Sequence, residues 1–219
     1  MFFTMRSFFL LIAAAGVAAF IGCAESIPAV GTASGIVVFE YNDVAELPHT
    51  RLAVFVDMHS DIRRTQWLRV VSRQQRYEWT GSEPLLFTNG GHQWVGCTNF
   101  ACPDVQAVPQ GLYDVQYTDA AGRTETGTFF VSYPAALLTA DVDAVLPVLA
   151  GRTNEYVAAF SDTDILVYYG ERQTSWEDDT ALFAAIPDAT RYRTCYVDTA
   201  ESFVCVLPPV LRTDIAGAE

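Results

Sequence analysis

The string Asp57-Met58-His59-Ser60-Asp61 is the segment whose side chains are best suited to chemistry. Aspartate and histidine are both sound metal ligands, but a catalytic zinc needs about three of them from the protein. The remaining histidines, His49 and His92, do not stand in a paired-ligand spacing. A metal-dependent hydrolase site at Asp57, His59 and Asp61 is therefore an alternative, and polar residues that end a strand are the main interpretation.

This D-x-H-x-D string also resembles the metal-binding strand end of some amidohydrolases and dipeptidases. Those enzymes use a barrel of about 250 residues. The present chain has 219 residues and is rich in strand-forming side chains, which does not suit such a barrel. We therefore expect no enzyme activity, no cofactor and no metal.

Cysteines offer a second kind of chemistry. His92, Cys97 and Cys102 could bind zinc, but they lack a fourth ligand. In an oxidising compartment, cysteines are more often paired as disulfides. We expect the bridges Cys97–Cys102 and Cys195–Cys205, the second closing a hairpin around residues 198–202.

The N-terminus predicts export. Arg6 precedes an apolar run from Phe8 to Ile21, which is the layout of a secretory signal peptide. As a helix this run would span roughly 21 Å, short of the roughly 30 Å hydrocarbon core of a membrane. Residues 1–22 are therefore predicted to be a signal peptide and not a permanent membrane span.

The apolar run ends in Phe20-Ile21-Gly22-Cys23, which resembles the lipobox of bacterial lipoproteins. That resemblance implies acylation of Cys23 and a membrane anchor. Because no aspartate follows Cys23, it also favours the outer membrane. Residues 23–34 are expected to be a flexible tether. The alternative is ordinary cleavage around Gly22-Cys23-Ala24, which would release a soluble protein.

Charge limits the partners of the exported chain. Only one of the 13 basic residues precedes Cys23, whereas all 26 acidic residues follow it, so nucleic acid is a poor partner. The basic residues concentrate in residues 51–76. A candidate surface for an anionic envelope polysaccharide or an acidic protein therefore contains Arg63, Arg64, Arg69 and Arg73. The alternative is that these arginines pair within the chain.

Short apolar runs separated by turn residues predict a mainly β fold. In the run from Arg51, the side chains of Leu52, Val54, Val56 and Met58 fall on one face, as in a half-buried antiparallel strand. Gly122 lies in a turn that would join two strands as a hairpin.

The segment Pro109-Gln110-Gly111-Leu112-Tyr113-Asp114-Val115 resembles the tyrosine corner of immunoglobulin-like sandwiches. The resemblance implies that Tyr113 folds back to hydrogen-bond the backbone, and that Trp67 is the core tryptophan of the third strand. It implies an antiparallel sandwich over residues 35–133 and no particular activity.

The texture changes after Pro134. A hairpin is expected around residues 161–164, followed by a short helix capped by Ser175 that ends before Pro187. Residues 134–219 are therefore predicted to be a small α+β unit, mostly β. The alternative is one continuous sheet with the first part.

These observations predict a membrane-anchored cell-envelope lipoprotein that acts as a non-enzymatic interaction or structural module. The alternatives are the metal-dependent hydrolase described above and an accessory subunit of an envelope assembly.

The lipobox generates a direct prediction. Metabolic labelling with an alkyne palmitate should mark the wild-type chain and should spare Cys23→Ala, because the sulfur of Cys23 is the expected attachment atom. A Cys97→Ala variant serves as the control and should keep the label. Label on Cys23→Ala would contradict the anchor.

Overall fold

A computed structural model describes residues 27–212 of this chain, except residues 45, 76 and 103–106. The predicted signal peptide (residues 1–22) and Cys23 lie outside the described residues. Within the described part, no helix has the length and apolarity needed to cross a membrane.

The described residues form mostly β-strands, which confirms the predicted fold class. The strands are β1 (Val30–Glu40), β2 (His49–Met58), β3 (Thr65–Ser72), β4 (Glu78–Gly81), β5 (Leu85–Asn89), β6 (His92–Ala101), β7 (Gly111–Asp119), β8 (Thr124–Val131), β9 (Thr153–Phe160), β10 (Leu166–Glu171), β11 (Arg191–Asp198), β12 (Phe203–Val206) and β13 (Val210–Leu211). The α-helices are α1 (Val142–Leu149) and α2 (Asp179–Ala185), and 3₁₀ turns cover Ile62–Arg64 and Ala135–Thr139.

The strands form two sheets that pack face to face. In the large sheet the order is β10-β9-β11-β12-β1-β2-β6-β5, with β13 beside β11; in the small sheet it is β4-β3-β7-β8. When β4 is left out as an insertion, β1, β2, β6 and β5 lie side by side in the large sheet, and β3, β7 and β8 lie in the small sheet. This division of seven strands is that of an immunoglobulin-like sandwich. The predicted sandwich is therefore present, with the strand order of an immunoglobulin-like domain.

The core lies between the two sheets. Leu52, Val54, Val56 and Met58 of β2 are all buried, as their alternation predicts. They pack against small-sheet residues such as Leu68. On the outer face of β2, however, Asp57 is also buried, which the half-buried pattern does not anticipate.

Tyr113 forms the predicted corner. Its hydroxyl donates a 2.6 Å hydrogen bond to the backbone oxygen of Pro109, four residues earlier. The Tyr113 ring is fully buried and stacks on Phe129 at a centroid distance of 5.3 Å. The corner therefore fixes the entry into β7 from inside the core.

The prediction for Trp67 is wrong. Leu68 and Val70 of β3 point into the core, so Trp67, one position away, is on the opposite face. The tryptophan that packs against this core comes from β4, where the partly buried Trp79 stacks on Tyr113 and donates from Nε1 to the backbone oxygen of Ala101. An inserted edge strand has thus taken over a position that the resemblance assigned to β3.

The large sheet continues past residue 134, so the alternative of one continuous sheet describes the structure. β12 pairs in parallel with β1, with Val37 opposite Phe203 and Glu40 opposite Val206. β11 and β9 then extend the sheet to β10. β1 also begins at Val30, so residues 30–34 are paired strand and the predicted tether is too long by five residues.

Arg193 links β11 to the end of β1 across β12. Its guanidinium donates to Glu40 Oε1 (2.6 Å) and to the backbone oxygens of Tyr41 and Leu207 (2.8 and 2.7 Å). Burial alone would raise the pKa of Glu40, but the hydrogen bond from Arg193 and the charges of Arg193 and Arg51 outweigh it, so the pKa is lowered. The ion pair therefore connects residues 153 positions apart.

A second core cluster forms under β9 and β11. Helix α2 packs Leu182 and Phe183 against Val157 and Tyr192. Its N-cap is Asp178, whose carboxylate accepts a hydrogen bond from the Ala181 amide; the prediction of Ser175 as the cap is therefore wrong. The helix ends before Pro187, as predicted, and β9 and β10 form the expected hairpin.

The corner generates a stability prediction. Tyr113→Phe should lower the free energy of unfolding by about 1–3 kcal/mol, because a buried backbone oxygen loses its donor. For a chain of this size the melting temperature should fall by roughly 2–12 °C. Tyr169→Phe, at an exposed position, is the matched control and should leave it unchanged. Equal melting temperatures for wild type and Tyr113→Phe would contradict the role of the corner.

Candidate functional site

The candidate site is centred on the carboxylate of Asp57. This residue is next to last in β2, on the outer face of the large sheet, and its side chain is only 8% exposed. Its Oδ2 lies 2.8 Å from His92 Nδ1 and 3.8 Å from His59 Nε2. Both imidazoles are more than half exposed. A buried carboxylate is thus flanked by two histidines that solvent can reach.

Asp57 is incompletely satisfied. Its second oxygen, Oδ1, is buried and has no hydrogen-bond partner within the described part of the chain. Leaving a buried acceptor unpaired costs about 1–3 kcal/mol, and more when the group is charged. Such a group in a native fold calls for a partner that the protein alone does not supply.

Three elements position the histidines. The register places Asp57 opposite Trp94 on β6, so His92, two residues earlier, is a diagonal neighbour on the same face. His59 follows β2 directly, and its amide donates to the backbone oxygen of Ala29. Its ring lies over Gly31, where a Cβ atom would come within 2.6 Å of Nε2. Glycine at position 31 therefore leaves the space that the ring occupies.

The predicted third member of the string, Asp61, does not join this group. Its carboxylate accepts from the Arg63 amide (3.1 Å) and from Arg63 Nε and Nη2 (2.9 and 2.8 Å). These hydrogen bonds, first those from the side chain of Arg63, lower the pKa of Asp61 to about 2. Asp61 is therefore the cap of a 3₁₀ turn. The third residue beside Asp57 and His59 is His92, and not Asp61 as the sequence pattern predicted.

The sequence contained a signal for His92. Asn89-Gly90-Gly91-His92 holds an Asn-Gly pair, which is typical of tight hairpins, and both glycines adopt positive φ (59° and 85°). The hairpin places Asn89 opposite His92. His92 reaches Asp57 only because β6 pairs with β2. This pairing is a long-range contact, which local sequence patterns do not predict.

The arginines of the proposed docking surface are engaged within the chain. Arg69 binds Glu78 through Nε and Nη2 (2.6 and 2.7 Å), and Arg73 binds Asp114 in the same way (3.0 and 2.6 Å). Arg63 pairs with Asp61 as described above. The Arg64 backbone oxygen accepts from the Ala120 amide. The side-chain contacts of Arg63, Arg69 and Arg73 favour the alternative in which the arginines pair within the chain. Their partners lie in the same turn (Asp61) or on the neighbouring strands β4 and β7 (Glu78 and Asp114), and not among the residues after 134.

Both predicted disulfides are wrong: Cys97, Cys102, Cys195 and Cys205 are free thiols. Cys195 is opposite Val206 and Cys205 opposite Tyr196, so the two cysteines point to opposite faces of the sheet. Cys97 and Cys102 are separated by about 16 Å of extended chain, whereas a disulfide needs Cα atoms roughly 4.4–6.8 Å apart. Cys102 instead directs its thiol to the Ala107 backbone oxygen at 3.6 Å.

Comparisons of this chain with protein-family models, with curated protein sequences and with solved structures give no match. Across the described residues, no group of three or more His, Cys, Asp and Glu side chains is already arranged to hold a metal ion.

The free thiols generate a prediction about reactivity. Burial raises the pKa of Cys205 to about 12 and that of Cys195 to about 11, where the charge of Arg193 partly opposes the shift. At pH 8 both sulfurs are protonated and poorly nucleophilic. In the folded, unreduced chain they should resist iodoacetamide.

In guanidinium without reductant, all four described cysteines should become alkylated, as mass spectrometry of a digest will reveal. Any of the four that reacts only after reduction would contradict the assignment as free thiols.

Proposed function

We propose that this chain is an exported, lipid-anchored protein of the cell envelope, held through Cys23 and favouring the outer membrane. In this proposal the sandwich is a non-enzymatic binding module. Its partner is another envelope protein, which contributes an extended segment as a further strand beside β5. The lipobox-like sequence supports the anchor, and the edge of the large sheet supports the mode of binding.

The observation that carries the binding mode is the character of β5. All five of its residues are exposed, and Leu85, Leu86 and Phe87 are 52, 43 and 40% exposed. Within the described residues β5 pairs with β6 and with no other strand. The backbone groups along its free side are therefore available for pairing, as in proteins that bind peptides by strand addition.

Other sheet edges carry features that discourage pairing, and β5 does not. β4 bears Glu78, β8 bears Glu125, and β10 ends in Glu171 and has a register irregularity after Leu166. Charges and bulges on edge strands are the usual protection against unwanted pairing. β5 has neither charge nor bulge, which is the pattern of an edge kept open for a partner.

The surroundings of β5 favour a polypeptide as the partner. Phe87 packs edge-on against Phe55 on the outer face, with ring centroids 5.8 Å apart. A groove of about 750 Å³ runs beside Leu86 and Phe87 and is also lined by His59, Ile62 and Arg63. An extended strand would bury apolar side chains there while its backbone pairs with β5. An anionic polysaccharide is less suited to this apolar edge.

An accessory subunit of an envelope assembly would fit the same surface, because docking by strand addition is compatible with a lasting complex. The identity of the cross-linked partner distinguishes these two forms of the proposal.

The strand edge generates the next prediction. A photo-cross-linking residue at Thr88 should form an adduct with a partner protein in intact cells. Adding Leu86→Lys should reduce this adduct to background, because the lysine opposes burial of the edge, while stability changes by less than about 0.5 kcal/mol.

Leu166→Lys on β10 is the matched control, since Leu166 is an exposed leucine on the opposite edge of the same sheet. It should leave the adduct unchanged. An adduct insensitive to Leu86→Lys, or equally sensitive to Leu166→Lys, would refute strand addition at β5. An adduct between two copies of the chain would replace the envelope partner with self-association.

A further inference from the structure

The Asp57 site has the chemistry of a cation site. A buried carboxylate with an unpartnered oxygen, Oδ1, is approached by two solvent-accessible imidazoles. Imidazole and carboxylate together suit borderline divalent cations such as Zn²⁺ and Cu²⁺ better than Ca²⁺ or Mg²⁺, which prefer oxygen alone.

We propose that Asp57, His59 and His92 bind one borderline divalent cation, with zinc or copper as the fitting ions. Zinc bonds to nitrogen and oxygen are about 2.0–2.1 Å long, so tetrahedral ligand atoms stand about 3.3 Å apart. The separations from Asp57 Oδ2 to His92 Nδ1 (2.8 Å) and to His59 Nε2 (3.8 Å) lie on either side of that value. In the proposed site, rotation of the two exposed imidazoles is what brings their donor atoms and Asp57 Oδ2 to one ion.

The described residues contain no three-ligand group that is ready to hold a metal ion, so the proposal requires the histidine side chains to rotate when the ion binds. Without metal, a hydrogen bond joins His92 Nδ1 and Asp57 Oδ2. The cation replaces that bond: neutral His92 carries its single ring proton on Nε2, and the lone pair of Nδ1 goes to the ion. Because the His92 ring is more than half exposed, this rearrangement does not disturb the core.

Two further features support the proposal. The chain has a net charge of −13, which raises the local concentration of cations. The nearby Arg63 is paired with Asp61, which reduces its repulsion of a cation at Asp57. Bound metal would also connect β2 and β6 to the start of β1, where the His59 amide holds the Ala29 carbonyl.

The test uses the full-length chain in detergent, without a histidine tag. Zinc binding is measured by competition with a chromophoric indicator, and copper binding by electron paramagnetic resonance. We expect one Zn²⁺ per chain and a Cu²⁺ spectrum with nitrogen hyperfine splitting from two imidazoles. His59→Gln and His92→Gln should each weaken Zn²⁺ binding by about tenfold or more.

His49→Gln is the matched control. His49 is the third histidine of the chain and lies at the opposite end of β2, so its removal should not alter binding. Asp57→Asn tests the carboxylate, and the two exposed histidine variants keep the result interpretable if Asp57→Asn unfolds. Thermal melting of each variant without metal provides the folding control.

Three results would overturn the proposal: no saturable Zn²⁺ binding, binding that survives both His59→Gln and His92→Gln, or a Cu²⁺ spectrum of thiolate ligation. Loss of metal binding with the Thr88 adduct intact would remove this site and leave the proposed function in place, because the two tests use different residues and different readouts.

Discussion

The parallel pairing of β12 with β1 is the constraint on which the rest of the fold depends. An immunoglobulin-like sandwich ordinarily leaves its first strand at the edge of a sheet. Here that edge is filled by residues about 165 positions later, with Val37 opposite Phe203. Parallel neighbours need a long connection, and in this chain the connection contains most of the sandwich and both helices. β1 thereby becomes an interior strand, and the free edge on its side of the large sheet moves to β10, while β5 remains the other edge.

Polar contacts strengthen the same junction. Arg193 on β11 reaches past β12 to Glu40 and to the Tyr41 carbonyl. A partly buried ion pair is not by itself a large source of stability, because both charges lose water. Its geometry is specific, however, since the planar guanidinium meets three acceptors only in the observed register. Slipping β12 by one residue would lose these contacts and would also move Phe203 and Cys205 out of the core.

The sequence predicted what depends on local pattern and missed what depends on long-range pairing. The alternation in β2 and the tyrosine corner are short-range features, and both are confirmed. Trp67 was misplaced because β4, an inserted edge strand, brings Trp79 onto Tyr113. The expected disulfides failed because pairing of cysteines depends on which face each side chain takes. For Cys195 and Cys205 the one-residue offset in register decides the matter.

The same distinction applies to the candidate site and links it to the open edge. The D-x-H-x-D string identified Asp57 and His59, but spacing alone could not reveal that Asp61 turns to Arg63 or that β6 delivers His92. His92 is also the first residue of β6, next to the turn of the β5–β6 hairpin, and it lies opposite Asn89. Any contact that fixes His92 to Asp57 therefore also limits how far this hairpin can move relative to β2. An ordered edge strand loses less entropy when a partner pairs with it, so, in the proposed function, His92 would link order at the Asp57 site to pairing at β5.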